Sequence, residues 1–273
     1  MSLVVQGTLM RFLVMWLILA PISAFGADIV FFKGSPEKQL GYVGQIPDTW
    51  RPRIVLIGDI VPGDDERFAA VLRQARSHGK AWETDRTLRL DSDGGDVATA
   101  MSIGRLVRKA QLTTIVQNNS TCASACVLVL AGGIQRFAWG DSRIGLHRPY
   151  FADPNTATEN GYEKFQQAYD SVLEAHRAYF KQMSIGSGLL EQMVKIPSNN
   201  VYWIDHATAS RLNLLGQDPA FAEWERAQRL AQKGRICVEW EDRNGKCLAQ
   251  LGFPADGVYE RCARITRKPA ECE

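Results

Sequence analysis

Buried strands and amphipathic helices alternate in the first half of the chain, and this alternation most constrains its fold. The apolar segments 53–61, 87–91 and 112–116 have the length and composition of buried strands. Between them, segments 66–77 and 97–109 carry apolar side chains at helical spacing. A strand–helix–strand order favours parallel strands joined by helical crossovers. The sequence therefore predicts an α/β fold, in a chain of 273 residues that can bury one core and a small appendage.

A turn of small residues with a central serine interrupts the next apolar stretch. Ser124 lies in the sequence TCASAC, which continues as VLVL, and a helix is predicted over 125–132. A serine hydroxyl is a weak nucleophile that needs a neighbouring base and N–H donors for the oxyanion formed by its attack. The N–H of Ala125 would be a free donor at the helix start. Ser124 is thus a candidate nucleophile, and a helix N-cap is the common alternative role for such a serine.

Two further groups have the chemistry that an activated serine requires. Gly94 and Gly95 follow a predicted strand, and without a Cβ a glycine backbone N–H can point into a cleft. One of these glycines, together with Ala125, would form a two-donor oxyanion hole. His147 ends the predicted strand 142–146 and is the candidate base.

Five landmarks from Arg53 to Leu215 keep the order and approximate spacing of the Clp-type serine peptidases, within the wider Clp/crotonase superfamily. They are DSDGG ending at Gly95, the serine turn, HRP beginning at His147, a long helix over Glu163–Met183, and ASRLNL over Ala209–Leu214. The family usually has Asn-Ser-Pro-Gly-Gly, Ala-Ser-Met-Ala, His-Gln-Pro, a protruding handle helix and Ala-x-x-x-Gly-Leu at these places. Asp93 stands where proline is usual, and Asn213 where glycine is usual.

The resemblance implies a fold, an activity and an assembly. The fold would be a spiral of ββα units with a protruding handle helix. Ser124 would be the nucleophile and His147 the general base of a peptidase that needs no cofactor or metal, with homo-oligomers formed through the handle helix. A catalytically inactive relative that binds or scaffolds other proteins is the alternative, because fold does not imply function. An acyl-CoA-handling relative fits the Ser/His placement less well, and an α/β-hydrolase would need Gly-x-Ser-x-Gly around the serine.

The third member of the triad is where the chain departs from the family. The resemblance implies an aspartate near positions 197–201, and no carboxylate occurs there. Asn199 or Asn200 could accept the Nδ1 proton of the histidine through its amide oxygen, as asparagine does in papain-like proteases. Asp205 is the nearest acid, and the adjacent His206 is an alternative base.

The N-terminus has the pattern of an export signal. Arg11 precedes the apolar run FLVMWLILA, and Ala24 and Gly26 supply the small residues that a signal peptidase recognises, so cleavage is expected before Ala27. The run is short for a bilayer span, and contact with a membrane is expected only if this segment is retained. A periplasmic or secreted protein without an ATP-binding pattern would act on peptides or unfolded segments independently of ATP.

Cysteines concentrate in the C-terminal segment. Export would let the six cysteines pair, and six allow 15 pairings. The four cysteines of the tail are expected to pair among themselves. The two cysteines beside the serine are expected to tie its turn, either to itself or to another segment. The tail cysteines are Cys237, Cys247, Cys262 and Cys272, and the others are Cys122 and Cys126. A zinc site is disfavoured because no Cys-x-x-Cys pair occurs.

These patterns divide the chain into three parts. The predicted parts are a signal peptide over 1–26, a hydrolase domain over 27–217 and a disulfide-stapled extension over 218–273. Asn244-Gly245, after an apolar segment at 235–240, predicts a hairpin in the extension. Net charge is +2 with no basic run, which disfavours nucleic acid as a partner.

Overall fold

The computed structural model describes residues 26–33, 52–83, 86–151, 161–251 and 257–272. The predicted signal peptide, apart from Gly26, lies outside the described residues. Within them the chain has a mixed α/β structure with two sheets and three disulfides. The prediction of an α/β fold with a disulfide-containing C-terminal segment is confirmed.

The main sheet has six strands, four of them parallel. In chain order they are β1 (Asp28–Phe32), β2 (Arg53–Ile57), β3 (Thr87–Asp91), β4 (Thr113–Val116), β6 (Gln135–Ala138) and β9 (Gly216–Gln217). Their spatial order is β1-β2-β3-β4-β6-β9, with antiparallel strands at both edges. Leu56, Leu90 and Val116 lie in register on neighbouring strands and are buried. The predicted parallel pairing of the three strands between residues 53 and 116 is therefore confirmed.

A second sheet of three short strands adjoins the first. It consists of β5 (Thr121–Ala123), β7 (Arg143–Leu146) and β8 (Tyr202–Ile204), in the order β5-β7-β8. β5 and β7 are parallel, and β8 is antiparallel to β7. The carboxyl ends of β5 and β7 consequently lie side by side, which brings together the two chain segments that follow them.

Helices accompany the two sheets in the part of the chain that the structure describes. They are α1 (Asp64–Arg76), α2 (Lys80–Glu83), α3 (Val97–Lys109), α4 (Cys126–Ala131), α5 (Gly161–Gln182), α6 (Ser187–Met193), α7 (His206–Arg211), α8 (Pro219–Gln250) and α9 (Val258–Thr266). Phe68 of α1, Ile103 of α3 and Leu128 of α4 belong to one hydrophobic core. All six residues of α4 are buried, because this short helix has core on every side.

The long helix α5 is embedded at only one end. It has no buried residue before His176, and Tyr162 near its start is 76% exposed. Tyr179 and Phe180 near its C-terminus are buried, and the Tyr179 hydroxyl donates to the Leu128 carbonyl at 2.6 Å. The first half of α5 is therefore exposed, while its last turns anchor it against α4.

The C-terminal extension is helical, so the predicted hairpin at Asn244-Gly245 is wrong. α8 runs through this position, with a kink at Gly234 where φ is +77°. Its two arms face each other, since Arg229 before the kink pairs with Glu241 and Asp242 after it at 3.1 and 3.0 Å. These contacts across the kink outweigh the local turn preference of the Asn-Gly pair. The short 3₁₀ helix Ala270–Cys272 ends the described chain.

Two disulfides hold the extension, and we call them the extension disulfides. Cys237 pairs with Cys272, and Cys247 with Cys262. The prediction that the four tail cysteines pair among themselves is confirmed. Val238 and Val258 are buried beside these bonds, so the extension combines a very small apolar core with covalent links.

Candidate active site

Ser124 occupies a sharp turn between β5 and α4. Its φ is +54°, a left-handed conformation that non-glycine residues seldom adopt, and its backbone N–H donates to the Gly145 carbonyl at 3.0 Å. The cap residue of α4 is Ala125, not Ser124, and no side chain caps this helix. Within the described residues the partly buried Ser124 hydroxyl makes no hydrogen bond. Ser124 therefore does not act as an N-cap, and its strained backbone presents an uncommitted hydroxyl.

A disulfide spans the serine turn. Cys122 and Cys126, two residues before and after Ser124, are bonded, with 5.2 Å between their Cα atoms. Both cysteines are fully buried. The hypothesis that oxidation ties the turn to itself is confirmed, and we call this bond the turn disulfide. It closes a small covalent ring around the left-handed serine.

The glycine turn lies directly against the serine turn. Gly94 and Gly95 have φ of +115° and +129°. A Cβ on Gly94 would lie 2.6 Å from the Ser124 Cβ and 2.9 Å from the Ala125 nitrogen. A Cβ on Gly95 would lie 2.1 Å from the Ile60 carbonyl oxygen. Only glycine fits either position, both for backbone conformation and for space.

The hydrogen bonds of this turn distinguish its two glycines. The Gly94 N–H donates to the Ser92 hydroxyl at 3.1 Å, so this donor is occupied. Ile60 pairs with the Gly94 carbonyl and the Asp96 N–H, both at 2.7 Å, and the N–H of the exposed Gly95 has no acceptor among the described residues. The Ala125 N–H also has no acceptor within the described chain. Of the predicted oxyanion donors, Gly95 and Ala125 are thus the two that are free.

His147 follows β7, directly beside the serine turn. Ala123 and Gly145 are paired across the parallel strands β5 and β7, so Ser124 and His147 follow the same edge of the small sheet. The imidazole is largely buried, and its Nδ1 lies 2.8 Å from the carbonyl oxygen of Arg148. Among the described side chains, no hydrogen bond joins His147 to Ser124. The structure brings the predicted base and nucleophile to one edge without closing the contact between them.

The predicted Nδ1 partner does not contact the histidine. The exposed Asn199 makes no hydrogen bond to His147, and the Asn200 amide oxygen accepts from the Val201 N–H at 3.1 Å. The expectation that an asparagine orients the imidazole is not met, because the nearer Arg148 carbonyl takes that position. The apolar Val201 precedes Tyr202, which pairs with Leu146, and its side chain packs against Gly145 of β7.

The alternative base and acid are engaged elsewhere. His206 Nε2 lies 3.1 Å from the Ser142 carbonyl oxygen and 3.3 Å from its hydroxyl, so this nitrogen is occupied. Asp205 caps α7 by accepting from the Thr208 N–H at 2.7 Å, and these hydrogen bonds lower the pKa of its carboxyl. Both residues therefore have structural roles.

A buried charge cluster at the other end of α4 was missed by the sequence analysis. Arg108 and Arg136 donate to the Ala131 carbonyl at 3.3 and 3.0 Å, which satisfies the C-terminal end of the helix that Ser124 precedes. Asp218 lies 2.8 Å from Arg108 and 3.8 Å from Arg136. Arginines and an aspartate separated by 80 residues give no local signal, so only the tertiary structure reveals the cluster.

Burial affects the two charges of this cluster differently. Desolvation lowers the pKa of Arg136 to about 10, against the opposing attraction of Asp218. Burial alone would raise the pKa of Asp218, but the hydrogen bonds from Arg108 and from the Phe221 N–H hold it below its usual value. The pKa values of Arg136 and Asp218 therefore depend on the other charged members of the cluster.

No protein-family model matches the chain, and no curated protein matches it. Across the described ranges, no helix is both long and apolar enough to cross a membrane. In that same part of the chain, no three His, Cys, Asp or Glu residues converge as metal ligands.

Proposed function

We propose that this protein is an exported serine hydrolase of the Clp/crotonase type. Its activity would be ATP-independent cleavage of peptides or unfolded protein segments. One observation carries the proposal: Ser124 is held in a left-handed turn and its hydroxyl bonds to no described residue, beside the strand that leads to His147 and two backbone N–H groups without an acceptor in the described chain. Strained residues whose side chains have no structural role are concentrated at functional sites.

The reaction follows from the positions of these groups. The Ser124 oxygen attacks a peptide or ester carbonyl while His147 takes its proton at Nε2. The N–H groups of Gly95 and Ala125 donate to the oxyanion. His147 then protonates the leaving amine or alcohol, and a water molecule, deprotonated by the same imidazole, releases the acyl group from Ser124.

The cysteines support the proposed location. All six are paired, two of them around the candidate nucleophile. Disulfides persist mainly in oxidising compartments such as the periplasm or the extracellular space. ATP is not supplied there, which is consistent with the absence of an ATP-binding pattern from the sequence.

The exposed half of α5 supports self-association. Tyr162 is largely exposed, and Phe165 stacks on Tyr169 with 6.4 Å between ring centroids. We propose that this face joins copies of the chain into a homo-oligomer. Replacing Tyr162 and Phe165 with serine should reduce the mass seen by sedimentation velocity, and an unchanged mass would argue against this surface.

Fluorophosphonate labelling tests the hydrolase proposal directly. The purified, oxidised, signal-free protein should form one adduct on Ser124, detected by intact mass and peptide mapping. Ser124→Ala and His147→Ala should both abolish it, whereas Ser171→Ala on the exposed face of α5 should not. An adduct that survives Ser124→Ala would contradict the assignment of the nucleophile.

A non-catalytic binding protein is the second candidate. It is favoured by the absence of a hydrogen bond between Ser124 and His147, and by the absence of a carboxylate from positions 197–201. A folded protein that forms no adduct would support it, and Ser124→Ala would then change stability alone.

A further inference from the structure

We propose that the main-chain carbonyl of Arg148 takes the place of the carboxylate that orients the histidine of a serine triad. The active site would then consist of Ser124, His147 and a fixed peptide dipole. This assignment rests on the proposed function for its catalytic meaning, but the structural claim concerns the proton on one ring nitrogen and can be measured without any activity.

The contact fixes the tautomer of His147. Its Nδ1 lies 2.8 Å from the Arg148 carbonyl oxygen, and a carbonyl oxygen can only accept a hydrogen bond. Nδ1 must therefore carry the proton and donate it. In the neutral imidazole Nε2 then has a free lone pair, which is the form that can take a proton from a serine hydroxyl.

The carbonyl is itself held in place by its neighbours. The Arg148 N–H donates to the Ile196 carbonyl at 3.0 Å, which fixes one side of the residue. Pro149 follows, and a residue before proline is restricted to extended backbone conformations. This restriction limits the ψ angle of Arg148, and ψ determines where its carbonyl points. The sequence His-Arg-Pro thus contains the base, the carbonyl group that orients it and the proline that restricts that carbonyl.

No carboxylate competes for this position among the described residues. The apolar Val201 packs against Gly145 of β7, and Asp205 is committed to Thr208 at the start of α7. The carbonyl supplies a partial negative charge where a carboxylate would supply a full one. Imidazolium is therefore stabilised less during the reaction, while the tautomer needed to begin it is preserved.

Nitrogen NMR of the histidines tests the proposal. The chain has four histidines, and comparison with His147→Gln assigns the signals of this one in the ¹⁵N-histidine-labelled, oxidised protein. At a pH where the ring is neutral, we expect a protonated-type shift at Nδ1 and an unprotonated-type shift at Nε2. Free imidazole side chains in water favour the opposite tautomer, so the result discriminates. A proton on Nε2, or rapid averaging between the tautomers, would overturn the proposal.

A pair of proline variants tests whether Pro149 fixes the orientation of the Arg148 carbonyl. Pro149→Ala frees Arg148 and should shift His147 toward the Nε2–H tautomer. Pro269→Ala, in the C-terminal extension away from the β7 turn, is the control and should leave the His147 signals unchanged. Equal spectra for the two variants would show that proline does not orient the carbonyl. Failure of fluorophosphonate labelling with the Nδ1–H tautomer intact would refute the hydrolase proposal and leave the tautomer assignment standing.

Discussion

The left-handed backbone of Ser124 predicts an unusual order of stabilities among its variants. A left-handed conformation costs a residue with a Cβ roughly 1–2 kcal/mol, and glycine avoids this cost. Glycine also loses more backbone entropy on folding, by roughly 0.5–1 kcal/mol. The difference leaves Ser124→Gly more stable than Ser124→Ala by about 1 kcal/mol. For a chain of this size, that corresponds to a difference in melting temperature of roughly 2–4 °C.

Ser171 supplies the matched control. It lies on the exposed side of α5, where a helix interior disfavours glycine relative to alanine by about 1 kcal/mol. The glycine–alanine difference should therefore have opposite signs at positions 124 and 171. Urea unfolding of the four oxidised variants measures both differences, provided that the slopes with denaturant agree.

The outcome bears directly on why a serine occupies this turn. If glycine is the more stable residue at position 124, the side chain is retained for a reason other than stability, as expected of a nucleophile. If Ser124→Gly is instead less stable than Ser124→Ala, by the amount seen at position 171, the turn is not left-handed. Backbone strain at Ser124 would then give no support to a catalytic role for this residue.

Four further predictions concern the surroundings of the turn. Gly95→Ala should destabilise the protein by at least about 2 kcal/mol in urea unfolding, because its Cβ would meet the Ile60 carbonyl at 2.1 Å with φ at +129°; a smaller loss would contradict the close packing. Replacing both cysteines of the turn disulfide with alanine should lower the free energy of unfolding by about 2 kcal/mol, less than removal of either extension disulfide does. Of these three changes, only loss of the turn disulfide should abolish fluorophosphonate labelling. Normal labelling without it would show that the covalent ring is not needed. Val201→Asp should speed labelling by roughly tenfold, whereas Val201→Asn should not, since only a carboxylate adds negative charge beside the strand that leads to His147; equal rates would show that a charge at position 201 does not act on the imidazole. Asp205→Ala should destabilise α7 above pH about 4. The difference in stability between the variant and the parent protein should disappear as the pH falls through the lowered pKa of Asp205. A difference that persists in urea unfolding at acid pH would contradict this.

The candidate site residues lie near one another because each follows a strand. Ser124 and His147 follow the parallel strands β5 and β7 of the small sheet, and Gly94 follows β3 of the main sheet, which a bridge between Ser92 and Cys122 joins to β5. Their order along the chain, through the family resemblance, predicted this grouping. Sequence could not separate Gly94 from Gly95 as a donor, because the Ser92 hydroxyl that occupies the Gly94 N–H is a tertiary detail.

The misses have identifiable physical causes. β5 and β8 have three residues each, too few to show an alternating pattern, so the small sheet could not be predicted as a unit. The partner of His147 Nδ1 is a main-chain carbonyl, which every residue possesses and no side chain signals. In the extension, Asn244-Gly245 is a good local turn signal, and ion pairs between the arms of α8 outweigh it.

The charge cluster behind α4 has a consequence for how the protein can be divided. The predicted boundary after residue 217 falls between β9 and α8, yet Asp218 on its far side forms ion pairs with two arginines of the preceding segment. A chain ended at Gln217 would leave those guanidiniums without their carboxylate, and removing one partner of a buried pair typically costs about 3–5 kcal/mol. The same arginines hold the rear of the helix whose front presents Ser124. The shortest fragment that can fold on its own must therefore include the first residues of the tail, so the boundary predicted after residue 217 is not a suitable point for truncation.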